Sequence, residues 1–271
     1  ILCKFLDASR MLPVHLHAGD ETAKRKYGEP NGKTEAWHIL WAAEGATVLA
    51  GVREGVSREE LREAFLARDY DAVMVRRGIE SGDTVYVPGG VLHSFGPDTL
   101  VFEVQQTSDL GVSVMPEDLY GRPLGEEEWR ANIEAALEEL EPDPRPVPNP
   151  GLPLEEGDNR RVLCCAGPHF ALERWTLAAA HREPPHPRRC LTLSNVGGGE
   201  VALEHAGGTE VLGRAESCLL PASIGEVRVV PEGEASLVAC YVPDLQRDVI
   251  APLREAGRSD EEIRGLGEVG L

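Results

Sequence analysis

Six prolines fall within residues 142–153, PDPRPVPNPGLP. Proline lacks the amide hydrogen that helices and sheet ladders use, and its ring holds φ at about −65°. No long regular element can cross this stretch, so the chain is divided there. The segment reads as an extended linker between a domain at 1–141 and a second at 154–244, with a helical tail at 245–271. A length of 271 residues suits about two domains.

Turn residues are dense elsewhere too. With 29 glycines and 20 prolines, many short strands are favoured over a helical bundle. Thr47–Val52, Asp83–Val87 and Leu100–Gln105 read as strands before the linker. After it come His169–Leu177, Arg189–Val196, Glu200–Glu204, Ser217–Leu220, Val227–Val230 and Ser236–Val242. Short strands at this spacing point to a sandwich or small barrel. Gly197–Gly199 reads as a hairpin turn, and no G-x-G-x-x-G nucleotide loop is present. Ser57–Glu60 and Ser259–Glu262 are capping boxes that open helices, the first running to about Arg68. Glu126–Glu141 reads as an acidic amphipathic helix. A short pattern also recurs. Gly82-Asp83-x4-Pro88-x4-His93 is matched by Ala215-Glu216-x4-Pro221-x4-Glu226. This suggests two copies of one β module, with Glu226 standing where the first has His93.

Charge narrows the classes of partner. Asp and Glu number 46 against 27 Lys and Arg, for a net charge of −19. Such a surface repels nucleic-acid phosphates and anionic lipid. Aromatics are only 5%, too few for broad base-stacking platforms. No apolar run approaches the roughly 18 residues of a membrane span. The opening ILCKFLDASRM lacks the layout of a signal peptide. It also lacks an initiator Met, so residues are expected upstream. The six cysteines form no C-x-x-C pair and read as buried, reduced thiols of a cytoplasmic protein.

Chemistry concentrates in three strings. Pro13-Val14-His15-Leu16-His17 puts two imidazoles at i and i+2, on one face of a strand. Glu35 follows in Gly32-Lys33-Thr34-Glu35-Ala36-Trp37, and His93 ends the turn Val87-Pro88-Gly89-Gly90-Val91-Leu92-His93. Three imidazoles and a carboxylate suit a divalent Zn, Fe, Mn or Ni, with positions left for water or substrate. Elsewhere His181 and His186, in a Pro-rich loop, read as surface histidines, and Arg188-Arg189 as a solvated pair. Trp37 and Trp175 read as core or pocket-wall residues, with His38 on the strand face opposite Trp37.

In order, K-F-L-D-A from Lys4, V-H-L-H, G-K-T-E-A-W, V-P-G-G-V-L-H-S-F-G and F-E-V-Q-Q-T-S-D resemble motifs of the type I mannose-6-phosphate isomerases. These are zinc enzymes of the cupin superfamily. The likeness covers residues 1 to 110 and continues more weakly through a second, metal-free cupin to residue 243. It implies a mainly β bicupin: two small jelly-roll-like barrels with a few flanking helices. It implies metal ligands at His15, His17, Glu35 and His93, with zinc the first expectation, and places Lys33 beside the metal as a catalytic, substrate-contacting residue. The family has Gln where this chain has His15 and Arg where it has Ser113. A hydroxyl cannot do what a guanidinium does for an anion. Ser113 and the nearby Arg122 are therefore candidate substrate-binding positions.

The leading expectation is a metal-dependent aldose–ketose isomerase acting on mannose 6-phosphate, fructose 6-phosphate or a related small sugar. Asp20 and Glu21 are weaker candidates for its proton-transfer base than for solvated loop acids. The alternatives are a diverged cupin metalloenzyme with redox or lyase chemistry, and a non-catalytic metal- or sugar-binding cupin.

Overall fold

A computed structural model describes residues 1–271 apart from Leu119 and Pro187. The chain forms two compact units, residues 2–148 and residues 149–271 with Ile1.

The first unit holds β1 (Leu2–Ala8), β2 (His15–Leu16), β3 (Glu35–Ala42), β4 (Thr47–Val52), β5 (Met74–Gly78), β6 (Thr84–Val87), β7 (His93–Phe95), β8 (Thr99–Gln105) and β9 (Val112–Ser113). They form two sheets, ordered β1-β8-β3-β6 and β5-β4-β7-β2-β9. Trp37 and Ile39 from the first sheet pack with Val48, Ala50 and Phe95 from the second, so the sheets face each other across a shared interior. Helices Arg58–Ala67 and Glu126–Glu139 bury Phe65, Ile133 and Leu137 against Leu49, Met74 and Leu92. Such apolar burial is the main stabilising contribution in each unit.

The second unit holds β10 (Leu152–Glu156), β11 (Asn159–Ala166), β12 (Ala171–Leu177), β13 (His181–Glu183), β14 (Leu191–Asn195), β15 (Val201–His205), β16 (Gly208–Leu212), β17 (Ser217–Leu220), β18 (Val227–Pro231) and β19 (Ala235–Tyr241). Its sheets run β10-β11-β12-β19-β14-β17 and β13-β18-β15-β16. Adding eleven to each strand number turns β1-β8-β3-β6 into β12-β19-β14-β17, and β5-β4-β7-β2 into β16-β15-β18-β13. The same strand order is thus built twice.

Several expectations change. The sheets remain open at their edges, and no closed barrel forms among the described residues. Gly197–Gly199 does not join a hairpin: β14 and β15 lie in different sheets. Asn195 explains the crossing, because its Nδ2 donates to Gly199 O at 2.7 Å and Leu212 O at 3.0 Å and directs the chain away from its own sheet. Residues 142–148 lie along the first unit, where Arg145 Nε donates to Val52 O and Arg77 Nε to Pro146 O, both at 2.9 Å. Leu152 and Pro153 already belong to β10. The C-terminal segment places Val249, Leu253, Ile263 and Leu266 in the second unit's core with Trp175 and Leu193. Cys164, Cys165 and Cys240 are buried thiols, but Cys190 is exposed. No helix among the described residues is long and apolar enough to cross a membrane.

Candidate active site

The site is built from level positions on facing sheets. Antiparallel partners put their side chains on the same face. In the first sheet, Leu2, Gln105, Glu35 and Val87 share one rung. Lys4, Glu103, Trp37 and Val85 share the next. In the second sheet, Ala50, His93, His15 and Ser113 are level. His17 follows His15 by two residues and shares its face. The turn before His93 is shaped by close approach: a Cβ on Gly89 would lie 2.6 Å from Gly19 Cα. Gly90, at φ +87°, then donates its amide to His17 O at 2.6 Å.

His15, His17 and His93 present ring nitrogens all within 4.8 Å of one another. Each Nδ1 faces a backbone carbonyl: Pro13 O at 2.6 Å, Leu110 O at 2.8 Å and Val91 O at 2.7 Å respectively. A carbonyl only accepts, so each Nδ1 carries the proton and each Nε2 is left with a lone pair. His15 Nε2 and His93 Nε2 stand 3.1 Å apart. Burial lowers the His15 pKa to about 3, with the His93 ring adding to the effect. Burial likewise holds His17 well below the usual range. Two facing lone pairs with no proton between them suit a cation.

Glu35 completes the set. Its Oε1 accepts from Trp37 Nε1 at 2.9 Å and lies 3.3 Å from His93 Nε2. Its Oε2 is 3.4 Å from His17 Nε2 and 2.8 Å from Lys33 Nζ, yet accepts no hydrogen bond of suitable angle. Burial pushes this carboxyl up, but His93, His17 and Lys33 outweigh it and hold the group well below the carboxylate range. A buried carboxylate oxygen without a hydrogen bond, beside three converging Nε2 lone pairs, matches the donor set of a divalent metal. Lys33 Nζ also lies 2.8 Å from His17 Nε2.

Other expected residues fall elsewhere. Ser113 sits beside His15, but its hydroxyl donates to Val14 O at 3.3 Å. Arg122 is an exposed loop residue, 2.6 Å from Asp118 and stacked over Tyr120, and is not among the groups that meet at Glu35. Asp20 Oδ1 accepts from Gly32 N at 2.8 Å and Gln106 Nε2 at 3.0 Å, which ties together the strands bearing the site, while Glu21 is exposed. His38 contacts Thr84 Oγ1 at 2.9 Å on the opposite face of β3 from Trp37. His181 is buried rather than superficial, and Arg189 pairs with Glu183 and lies 4.6 Å over the Tyr241 ring. Pro187 of that loop lies outside the described residues.

Lys4 and Glu103 were not singled out in the sequence. Lys4 Nζ donates to Glu103 at 2.8 Å and to Gln105. Burial, then the Glu35 charge, raises the Glu103 carboxyl, with Lys33 and Lys4 opposing. The signal was the alternation in Glu103-Val104-Gln105, which places charged and polar groups on an inward strand face.

The second unit has lost the set. Val87 and Leu220 each precede the repeated proline, and they pair with Glu35 and Leu191 respectively. Leucine therefore stands at the carboxylate's place. Two residues earlier, Arg189 stands where the first unit has Lys33.

No family model matches the chain. A curated mannose-6-phosphate isomerase of Streptococcus mutans serotype c is 32% identical over 181 residues, 66% of this chain. The match spans about half of that relative's length, 55%. A crystal structure of the mannose 6-phosphate isomerase from Bacillus subtilis shares the fold at a TM-score of 0.77 and 24% identity, covering 88% of this chain and 74% of that one. A zinc-bound mannose 6-phosphate isomerase matches at a TM-score of 0.63 and 14% identity, covering 87% and 77%. Sequence similarity to the first and the fold shared with the others point the same way: the chain is similar to mannose-6-phosphate isomerases in sequence and in fold.

Proposed function

We propose that this chain is a metal-dependent aldose–ketose isomerase, moving a proton between C1 and C2 of a small sugar or sugar phosphate through an enediol. The convergence of three Nδ1-pinned imidazoles with Glu35 carries the reading. His15, His17, Glu35 and His93 would hold the metal, with zinc the first choice for this donor set. A bound divalent ion would supply Lewis-acid polarisation of the sugar's C1 and C2 oxygens.

The remaining work falls to side chains. Lys33 keeps a positive charge where negative charge develops on the enediolate. Glu103, raised by its surroundings, is suited to take up and return the proton, with Lys4 orienting it. The repeated strand order reads as two cupin-like halves, the first holding the site.

The test pairs metal content with proton exchange. His93→Ala should lose bound zinc while keeping its far-ultraviolet circular dichroism. Glu103→Gln should keep zinc and lower kcat by roughly 100- to 10,000-fold. Deuterium from solvent should enter the sugar at C1 or C2 in the wild type. Equal zinc in the His93→Ala variant, or no exchange in the zinc-loaded wild type, would sink the reading.

A further inference from the structure

We propose that Gln106 is a positioning residue of this site: its side chain fixes the chain at 32–35 so that Lys33 and Glu35 project together toward the imidazoles. The consequence for turnover rests on the isomerase reading. The inference goes beyond that reading by naming what holds Lys33 in place.

Lys33 and Thr34 lie just before β3, which begins at Glu35. The strand ladder does not include them, so other groups must hold them. Thr34 N donates to Gln106 Oε1 at 2.8 Å, and Gln106 N donates to Thr34 O at 3.1 Å. The amide of Thr34 lies in the peptide plane that contains the Lys33 Cα, and its carbonyl lies in the plane that contains the Glu35 Cα. One residue thus pins the planes on both sides of Thr34. The other end of the Gln106 side chain reaches the strand end that follows His17, where Nε2 donates to Asp20 Oδ1 at 3.0 Å. The orientation of this buried amide is fixed by its neighbours. A peptide N–H only donates and a carboxylate only accepts, so the oxygen faces Thr34 and the nitrogen faces Asp20.

The segments so joined are those that carry the site. Asp20 Oδ1 also accepts from Gly32 N at 2.8 Å, and Lys33 N donates to Ala18 O at 2.9 Å. A Cβ on Gly32 would collide with the Ala18–Gly19 backbone, so the two arms lie directly against each other. The Thr34 hydroxyl accepts from Gly89 N at 3.2 Å, in the turn before His93. Lys33 and Glu35, two residues apart, meet with Nζ 2.8 Å from Oε2, and the same Nζ lies 2.8 Å from His17 Nε2. A lysine has a long flexible stem, so the place of its ammonium depends on where its backbone is held. Without Gln106, Thr34 N and Asp20 each lose a partner in a largely buried setting, and the segment bearing Lys33 is freed to move.

The test reads Lys33 itself. Lysine occurs four times in the chain, as Lys4, Lys24, Lys26 and Lys33. Amine acetylation of the zinc-loaded full chain, followed by peptide mass spectrometry, therefore gives a separate rate for each. Exposed Lys24 is the reference, and Lys4, on β1 of the same sheet, reports general loosening. Gln106→Leu should raise the Lys33 rate roughly ten-fold against Lys24, with Lys4 changed by less than about two-fold. Gln106→Glu alone sets two carboxylates together and should also release Lys33. Combining it with Asp20→Asn exchanges donor and acceptor across the same contact and should return Lys33 to within about two-fold of wild type. With mannose 6-phosphate, Gln106→Leu should lower kcat by roughly 10- to 100-fold and leave KM within about three-fold, because a displaced Lys33 acts on charge that develops in the transition state. An unchanged Lys33 rate in Gln106→Leu, an equal rise at Lys4, no recovery in the double variant, or a specific rise at Lys33 with kcat unchanged overturns the proposal. The expected labelling pattern in a chain that turns over no sugar upholds the positioning of Lys33 and counts against the isomerase reading alone.

Discussion

His17 shows how a metal-type donor is aimed by its surroundings. Its Nδ1 is fixed by Leu110 O, and the next residue, Gly111, packs directly against the ring. A Cβ on Gly111 would lie 2.8 Å from Nδ1 and 3.1 Å from Cε1. Such a contact forces one partner to move. Gly111→Ala should therefore turn His17 away from Glu35 and weaken zinc affinity by about 10- to 100-fold, with the fold intact. Competition with a metal chelator reads the affinity, and an unchanged value would show that the loop yields instead of the ring. The imidazoles and Glu35 were legible because H-x-H and K-T-E-A-W are compact strings. Gly111 was not, because its role lies in a contact across the site rather than in its own chemistry.

At the scale of elements, local rules worked where local chemistry decides. Both capping boxes form: Ser57 Oγ accepts from Glu60 N and Ser259 Oγ from Glu262 N, each at 3.2 Å. Ser57→Ala should cost about 1 kcal/mol, because a first-turn amide of the helix that buries Leu61 and Phe65 loses its acceptor. Urea unfolding followed by circular dichroism checks this, and no change in midpoint would mean that the helix is held by packing alone. Strands β5, β11 and β16 escaped sequence reading for different reasons. β5 and β16 are sheet edges, and β16 is exposed through Glu210 and Val211, so no buried face imposes a period of two. In β11 a bulge between Leu163 and Cys165 disturbs the register, and Val162 to Ala166 are all buried, which erases the alternation.

At the scale of the whole molecule, the two units share a strand order but fill their interiors differently. The first places convergent lone pairs there. The second places a paired ionic network: His181 lies 3.3 Å from both Glu156 and Glu183, and Arg161 pairs with Glu156 at 2.9 Å and Glu173 at 2.7 Å. Burial pulls the His181 pKa down, but the two carboxylates outweigh it and raise it to about 9. A raised histidine contributes stability that is fully present below its unfolded value of 6.5 and is lost as pH rises through about 9. Glu156 acts in the opposite direction. Its bond to His181, with Arg161 nearby, holds it low, so its contribution is present above its ordinary pKa and fades in acid. Thermal unfolding should thus lose a few degrees between pH 6.5 and 9, on the order of 1 kcal/mol once solvent screening is allowed for. His181→Gln should flatten that slope, and parallel pH profiles for the two proteins would refute the assignment. The sequence by itself determined what depends on near neighbours: the proline-dense stretch at 142–153, the capped helices, the repeated acid-to-proline spacing and the imidazole and carboxylate types that meet at Glu35. Only the tertiary structure decided what depends on facing surfaces. It set open sheets in place of closed barrels, brought Lys4 and Glu103 to the rung beside Glu35, sent Arg122 to the surface, and buried His181 between carboxylates. The reason is physical: residue type and spacing fix local conformation, whereas charge state and partnership depend on which distant side chains share a low-dielectric interior.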